Sequence, residues 1–173
     1  MKQLSLVCML LGTLLFTSCN AVSVASDYDR SANFENYKTY TFHQKGLDKL
    51  SINDLDKRRI IDALNKEMAA KGFTKVDSDA DLVINVLASS SQEISIDNDY
   101  YGPYGYGYWG RRYPYVSEYT AGKVIVDIVD DKRNILVWQG VGSGLNLSNI
   151  EAKSEKIPQA VNEILAKFPP KRK

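Results

Sequence analysis

The segment from Tyr100 to Tyr115 contains only tyrosine, glycine, tryptophan, proline and arginine. So much glycine and proline excludes a regular helix, and the segment is long for a connection inside a compact domain. The fold must therefore be assembled from the patterns on either side of a Tyr/Gly-rich loop, which we place at about residues 97–118.

Two strands and one helix are predicted before this loop. Alternating aromatic and β-branched residues predict a strand over Tyr37–Phe42, and a nearly continuous apolar run predicts a central strand over Asp81–Leu87. Between them, a helix is expected from its N-cap, Asn53, to a C-terminal stop at Gly72. Its buried stripe recurs at helical spacing and consists of Ile60, Ile61, Leu64 and Met68.

Two strands and a second helix are predicted after the loop. Strands over Lys123–Val129 and Ile135–Gly140 are joined by the polar turn Asp130–Asn134, which favours an antiparallel hairpin. Because Pro158 lies inside the last helical pattern, we expect that helix to start near Ser154, or to consist of two pieces. The expected core residues of this half are Val124, Val126, Ile128, Trp138, Ile157, Ala160, Val161, Ile164, Leu165 and Phe168.

This order of elements predicts an α+β fold. We expect a small, mainly antiparallel β-sheet with two main helices packed on one face. The length of the chain suits a single domain.

The N-terminus has the pattern of an export signal. After Lys2, the run from Leu4 to Phe16 is apolar and uncharged, and is shorter than the ~20 residues that span a bilayer. Small residues then precede Cys19, which resembles the lipobox of bacterial lipoproteins, where a diacylglyceryl group joins the cysteine sulfur before cleavage. The alternative is an ordinary secretory signal with Cys19 near the cleavage site by chance.

The lipobox interpretation sets the expected domain boundaries. We predict a signal peptide over 1–18, attachment of lipid, including palmitate, to Cys19, a tether over 19–26 and one domain over 27–170. Asn20, in place of aspartate, favours sorting to the outer membrane, on the leaflet facing the periplasm. The membrane is therefore an expected partner through the lipid on Cys19.

Charge argues against a nucleic-acid partner. The chain carries a formal charge of +1, and loss of Lys2 with the signal makes the mature chain neutral. Runs of three basic residues, which phosphate contacts could use, occur at Lys171–Lys173 and at Lys57–Arg59, and the second run is interpreted as part of the solvated face of a helix.

Several patterns that could carry chemistry have simpler interpretations. The G-x-G-x-x-G match at 105–110 does not open a helix, as a dinucleotide site requires. The alternating Asp77, Asp79 and Asp81 lack the glycine and glutamate of an EF-hand and are interpreted as turn and cap residues. Adjacent Asp130 and Asp131 are interpreted as a solvated turn.

Few residues of this sequence could act as a catalytic nucleophile, base or metal ligand. His43 is the only histidine, and the mature chain has no cysteine besides Cys19, so a zinc site of His and Cys is excluded and a Ser-His-Asp triad would rest on His43 alone. We expect no metal and no cofactor. A hydrolase using distant carboxylates is the least favoured alternative.

The Tyr/Gly-rich loop is the candidate binding site. Tyrosine and tryptophan offer flat, amphipathic contact area that could stack on glycan or peptide. The alternative is a loop that folds its rings over the sheet or is disordered. The candidate residues are Tyr100, Tyr101, Tyr104, Tyr106, Tyr108, Trp109, Arg111, Arg112 and Tyr113.

The order of motifs resembles the DUF4136 family of bacterial lipoproteins. The resemblance rests on Ser26–Asp29 followed by Phe34 and Tyr37–Tyr40, the Tyr/Gly-rich middle, Gly122–Asp130, Leu136–Gly140 and Phe168–Pro170. It implies an α+β domain in the Gram-negative envelope and no established activity, so it transfers no catalytic residue. We therefore expect a non-enzymatic envelope lipoprotein that acts as a structural or interaction module, with an envelope protein or a glycan as possible partner.

Overall fold

The computed structural model describes residues 22–97, 115–147 and 150–171. Within these ranges, one sheet contains six strands, in the spatial order β1-β6-β5-β4-β2-β3. The strands are β1 (Ser23–Tyr28), β2 (Thr39–Phe42), β3 (Thr74–Lys75), β4 (Leu82–Asp97), β5 (Tyr115–Asp130) and β6 (Ile135–Asn146). The helices are α1 (Gln44–Asp48), α2 (Asp54–Ala70) and α3 (Ile150–Leu165), and a 3-10 turn covers Phe34–Asn36.

The sheet is mainly antiparallel. β1 pairs with β6, β6 with β5 and β5 with β4 in antiparallel register, whereas β2 is parallel to both β4 and β3. The predicted turn between β5 and β6 is present, with Asn134 at a φ of 53° and its N–H donated to the Asp130 carbonyl. The predicted α+β class is therefore confirmed.

α2 begins and ends where the sequence predicts. The Asn53 side chain accepts a hydrogen bond from the Asp56 N–H at 2.9 Å, which satisfies one of the unpaired donors of the first turn. Gly72 follows the helix at a φ of +84°, a conformation that glycine adopts without the steric cost of a Cβ atom.

The core lies between the sheet and the two long helices. Alternate residues of the strands, such as Leu82, Ile84 and Val86 of β4, face α2 and α3 and are buried. All predicted core residues are buried except Ile61, which is half-buried and packs against the core. In the described part of the chain, no helix combines the length and the apolar character that crossing a bilayer requires.

The strand register defines two ends of the sheet. At the proximal end, where β1 begins, Ser23, Ser143, Lys123 and Ser89 lie side by side on β1, β6, β5 and β4. At the distal end, Leu82 of β4 pairs with Asp130 of β5. Both α2 and α3 begin near the proximal end and end near the distal end, where Phe168 contacts Phe34 and Phe73.

Three elements differ from the sequence-based expectations. Residues 23–26, assigned to the tether, pair with β6 as part of β1; the strand is mostly exposed at the sheet edge and lacks an apolar pattern. α1 follows β2 and was not predicted. α3 runs continuously from Ile150 through Pro158, so the later start and the two-piece helix were both wrong.

Pro158 is compatible with this longer helix because its packing compensates for the lost hydrogen bond. Proline has no N–H to donate to the carbonyl four residues earlier. On either side of it, Ile157, Ala160 and Val161 are buried against the sheet and α2. Tertiary contacts therefore outweigh the local preference for a helix start near Ser154.

Candidate functional site

The predicted site residues lie outside the described part of the chain. This applies to the lipid-attachment residue Cys19 and to the loop residues Tyr100, Tyr101, Tyr104, Tyr106, Tyr108, Trp109, Arg111, Arg112 and Tyr113. The structure does describe the strands on both sides of the loop and the first strand after the tether. These elements locate the points from which the two segments depart.

The strands flanking the loop form a long hairpin. β4 and β5 pair continuously from Leu82 opposite Asp130 to Asp97 opposite Tyr115. β6 ends at Asn146, opposite Ala121, and β2 ends at Phe42, opposite Ile84. The outer part of β4 and β5 therefore projects beyond the sheet as a two-stranded ribbon at the proximal end.

The ribbon includes residues that the sequence assigned elsewhere. The predicted strand ended at Leu87 and the predicted loop extended to about residue 118, but β4 continues to Asp97 and β5 begins at Tyr115. Ser89 to Gln92 are polar or exposed, so this part of the strand has no apolar alternation to reveal it. Pairing with β5 defines it instead.

A cleft of about 210 Å³ lies at the base of this ribbon. It is bounded by the first turns of α2 and α3 and by the helix-facing side of β4, β5 and β6. Its walls include Ile52, Ile60, Val124, Leu145 and Ile157. An apolar recess with a few polar groups at its rim is the usual composition of a small ligand site.

A buried carboxylate closes one side of the cleft. Asp56 accepts hydrogen bonds from Asn53 Nδ2 at 2.7 Å, from Lys153 Nζ at 3.2 Å and from Arg59. Burial alone would raise the pKa of Asp56, but the hydrogen bonds from Lys153, Arg59 and Asn53 outweigh it and hold the pKa below its usual range. Asp56 thus stays ionised and ties α2 to α3.

A second buried carboxylate lies at the distal end. Asp130 Oδ2 accepts from the Tyr37 hydroxyl and from Arg133 Nε, each at 2.8 Å, and Arg133 Nη2 donates to the Tyr37 hydroxyl. The interpretation of Asp130 and Asp131 as a solvated turn was therefore wrong for Asp130, which is buried, and agrees with exposed Asp131. No sequence signal links Tyr37 to a turn so distant in the chain.

The remaining candidates have structural roles. Asp81 accepts hydrogen bonds from the N–H groups of Lys38 and Thr39, as expected of a cap residue, and Asp79 occupies a turn at a φ of 52°. His43 Nδ1 lies 3.3 Å from Asn85 Oδ1 at the edge of β4. Across residues 22–97, 115–147 and 150–171, His, Cys, Asp and Glu form no group of three or more that could hold a metal.

The chemistry of the two buried carboxylates is that of structural ion pairs. Both accept hydrogen bonds that favour the charged form, whereas a general acid at neutral pH needs a raised pKa. What the geometry offers is a proximal end with a cleft, a projecting ribbon and the start of β1.

Known structures share this architecture. A PDZ domain protein from Parabacteroides distasonis aligns with a TM-score of 0.56 and 15% identity over 88% of this chain, which spans 36% of that protein's chain. A DUF4136 family protein from Bacteroides thetaiotaomicron aligns with a TM-score of 0.56 and 22% identity over 87% of this chain and 97% of that one.

A third structure is more distant. A PelC dodecamer from Paraburkholderia phytofirmans has a TM-score of 0.51 and 11% identity over 87% of this chain and 99% of that one. At such identities these likenesses show the fold alone. No curated protein matches the sequence.

The fold and its proximal end define a small α+β domain with a projecting hairpin. The family described as "Domain of unknown function (DUF4136)" matches residues 24–170, which include every described strand and helix except Ser23 at the start of β1. The chain belongs to this family, and the resemblance inferred from its motifs is confirmed.

Proposed function

We propose that this protein is a lipid-anchored, non-enzymatic interaction module of the bacterial outer membrane that faces the periplasm. The observation that carries the proposal is the uncharged apolar run Leu4–Phe16 followed by Cys19, only a few residues before β1. A folded domain that begins so soon after a lipidated cysteine would be held at the membrane surface, and several acyl chains on one residue give stable anchoring.

The described residues support binding over catalysis. Their buried carboxylates are engaged in ion pairs, and the family to which the chain belongs carries no established activity. The proximal end, in contrast, offers a cleft and a projecting ribbon that a partner could contact.

Labelling with an alkyne analogue of palmitate tests the anchor. Wild-type protein should incorporate the label and sediment with the outer membrane, and Cys19→Ala should lose the label and remain uncleaved or become soluble. Cys8→Ala, which changes the only other cysteine, is the matched control and should leave labelling intact. Unchanged labelling and membrane retention in Cys19→Ala would overturn the proposal.

A glycan- or peptide-binding module is the second candidate. It is favoured by the Tyr/Gly/Trp composition of the loop between β4 and β5 and by the cleft at the base of their hairpin. Retention of the protein on peptidoglycan fragments, with loss of retention after deletion of 104–109 and unchanged thermal stability, would support this function. A stable protein partner after envelope cross-linking would favour the first candidate instead.

A further inference from the structure

The start of β1 and the β4–β5 ribbon leave the domain at the same end. Ser23, Ser143, Lys123 and Ser89 lie in one register row across β1, β6, β5 and β4. β1 begins at this row, and the ribbon runs outward from it toward Asp97. A lipid on Cys19 would therefore hold the ribbon toward the membrane, so this inference rests on the proposed anchor.

The ribbon reaches farther than the tether. The chain from Ser23 back to Cys19 can extend over about 14 Å at most, because a fully extended chain covers ~3.5 Å per residue. The strand from Ser89 to Asp97 extends over about 27 Å at ~3.4 Å per residue. With Cys19 at the bilayer surface and the start of β1 directed toward it, the ribbon enters the headgroup region or lies along it.

Two exposed apolar side chains lie at this end of the described surface. Ile150, at the start of α3, is 71% exposed, and Leu55, in the first turn of α2, is 59% exposed. These are the two most exposed large apolar residues in the described part of the chain. Lys123, which lies in the register row at this end, is also exposed and can contact lipid phosphates.

The acidic residues at this end limit the role of charge. Asp54 and Glu151 share the first turns of α2 and α3 with Leu55 and Ile150, and both are exposed. A strongly electrostatic attraction to anionic lipid is therefore not expected. Apolar contact through Leu55 and Ile150 remains.

We propose that the proximal end of the domain is a membrane-contact surface, in which Leu55, Ile150 and the β4–β5 ribbon lie against the headgroup region of the bilayer that holds Cys19. The partner is the lipid interface itself. The distal end then faces away from the membrane.

Vesicle binding without the lipid anchor tests the surface. The mature chain with Cys19→Ser is mixed with vesicles of phosphatidylethanolamine and phosphatidylglycerol, and co-sedimentation is measured. The double variant Leu55→Ser/Ile150→Ser should bind several-fold more weakly, whereas Leu136→Ser, which is 49% exposed at the distal end, should bind like the parent protein. Equal binding of both variants and the parent, or a loss confined to Leu136→Ser, would overturn the proposal.

Fluorescence quenching tests the ribbon in the anchored protein. Gln92→Cys introduces a free cysteine at an exposed residue of the ribbon, and the labelled, lipidated full-chain protein is reconstituted into the same vesicles with bromines placed at headgroup depth. The bromines should remove roughly half of the emission of a label at residue 92, because a residue at the membrane interface lies at that depth. The same label after Leu136→Cys, at a residue that is 49% exposed at the distal end, is the matched control and should change little.

The two failures can be told apart. Protein that does not float with vesicles although its signal is intact argues against the lipid anchor. Protein that floats while the emission of the label at residue 92 stays unchanged keeps the anchor and overturns the membrane contact. A label at residue 92 that is protected by a peptidoglycan fragment or a protein partner, but not by the bilayer, would also overturn it in favour of that partner.

Discussion

At the distal end of the domain, Phe34, Phe73, Trp138 and Phe168 pack ring against ring, with centroids 5.3 to 5.8 Å apart around Phe168. At the proximal end, the helices begin with exposed Ile150 and Leu55, and a cleft separates them from the sheet. The difference teaches that the aromatic residues described at the distal end stabilise the fold, whereas the proximal end leaves part of its apolar surface exposed.

The largest expected loss of stability comes from a substitution that breaks the distal aromatic cluster. Phe168 is 1% exposed and contacts three other rings, so Phe168→Ala should lower the free energy of unfolding by about 3–5 kcal/mol. Urea unfolding followed by circular dichroism measures this. Ile150→Ala, at the proximal end, should stay within about 0.5 kcal/mol of wild type. Similar losses in both variants would mean that the two ends are equally important for stability.

A smaller effect is expected from the distal ion pair. Asp130→Asn should cost about 1.5–3 kcal/mol, because Tyr37 and Arg133 lose hydrogen bonds to a charged acceptor. Asp131→Asn changes the neighbouring, exposed carboxylate and should cost less than about 0.5 kcal/mol. Equal effects of the two substitutions would contradict a stabilising role of the ion pair and would support the interpretation of Asp130 as part of a solvated turn.

The ion pair between Asp130 and Arg133 also makes the stability of the fold depend on pH. Burial alone would raise the pKa of Asp130, but hydrogen bonds from the Arg133 backbone, the Arg133 side chain and Tyr37 outweigh it and lower the pKa. A carboxylate with a lowered folded-state pKa contributes stability above its unfolded value, near pH 3.9, and loses this contribution as the pH falls through the folded value. Asp130→Asn should therefore destabilise the protein less at pH 2 than at pH 7.

Much of the fold could be predicted because its signals are local. The Asn53 cap, the Gly72 stop and the apolar stripe of α2 are neighbours in sequence, and a nearly continuous apolar run locates the inner part of β4. β1 and the Ser89–Gln92 part of β4 could not be predicted, because backbone pairing with another strand defines them and their side chains carry no apolar alternation.

The candidate site was only partly open to prediction. Cys19 and the aromatic residues of the loop are visible in the sequence, but the strand register shows that β1 begins at the end of the domain where the β4–β5 ribbon projects. The cleft likewise depends on how α2 and α3 approach the sheet, which involves residues as distant in the chain as Asp56 and Lys153. Such contacts have no signature in a single sequence.

The smallest expected effect concerns the polar group at the proximal end. Asn53→Ala removes the acceptor for the Asp56 N–H and a donor to the Asp56 carboxylate, and should cost about 1 kcal/mol. Asn53→Ser retains a capping oxygen, so it should recover most of this loss in urea unfolding. Lys153 and Arg59 continue to hold Asp56 in both variants, which is why the effect should stay below that of Asp130→Asn. A larger loss in Asn53→Ala than in Asp130→Asn would show that the proximal end contributes more to stability than its exposed surface suggests.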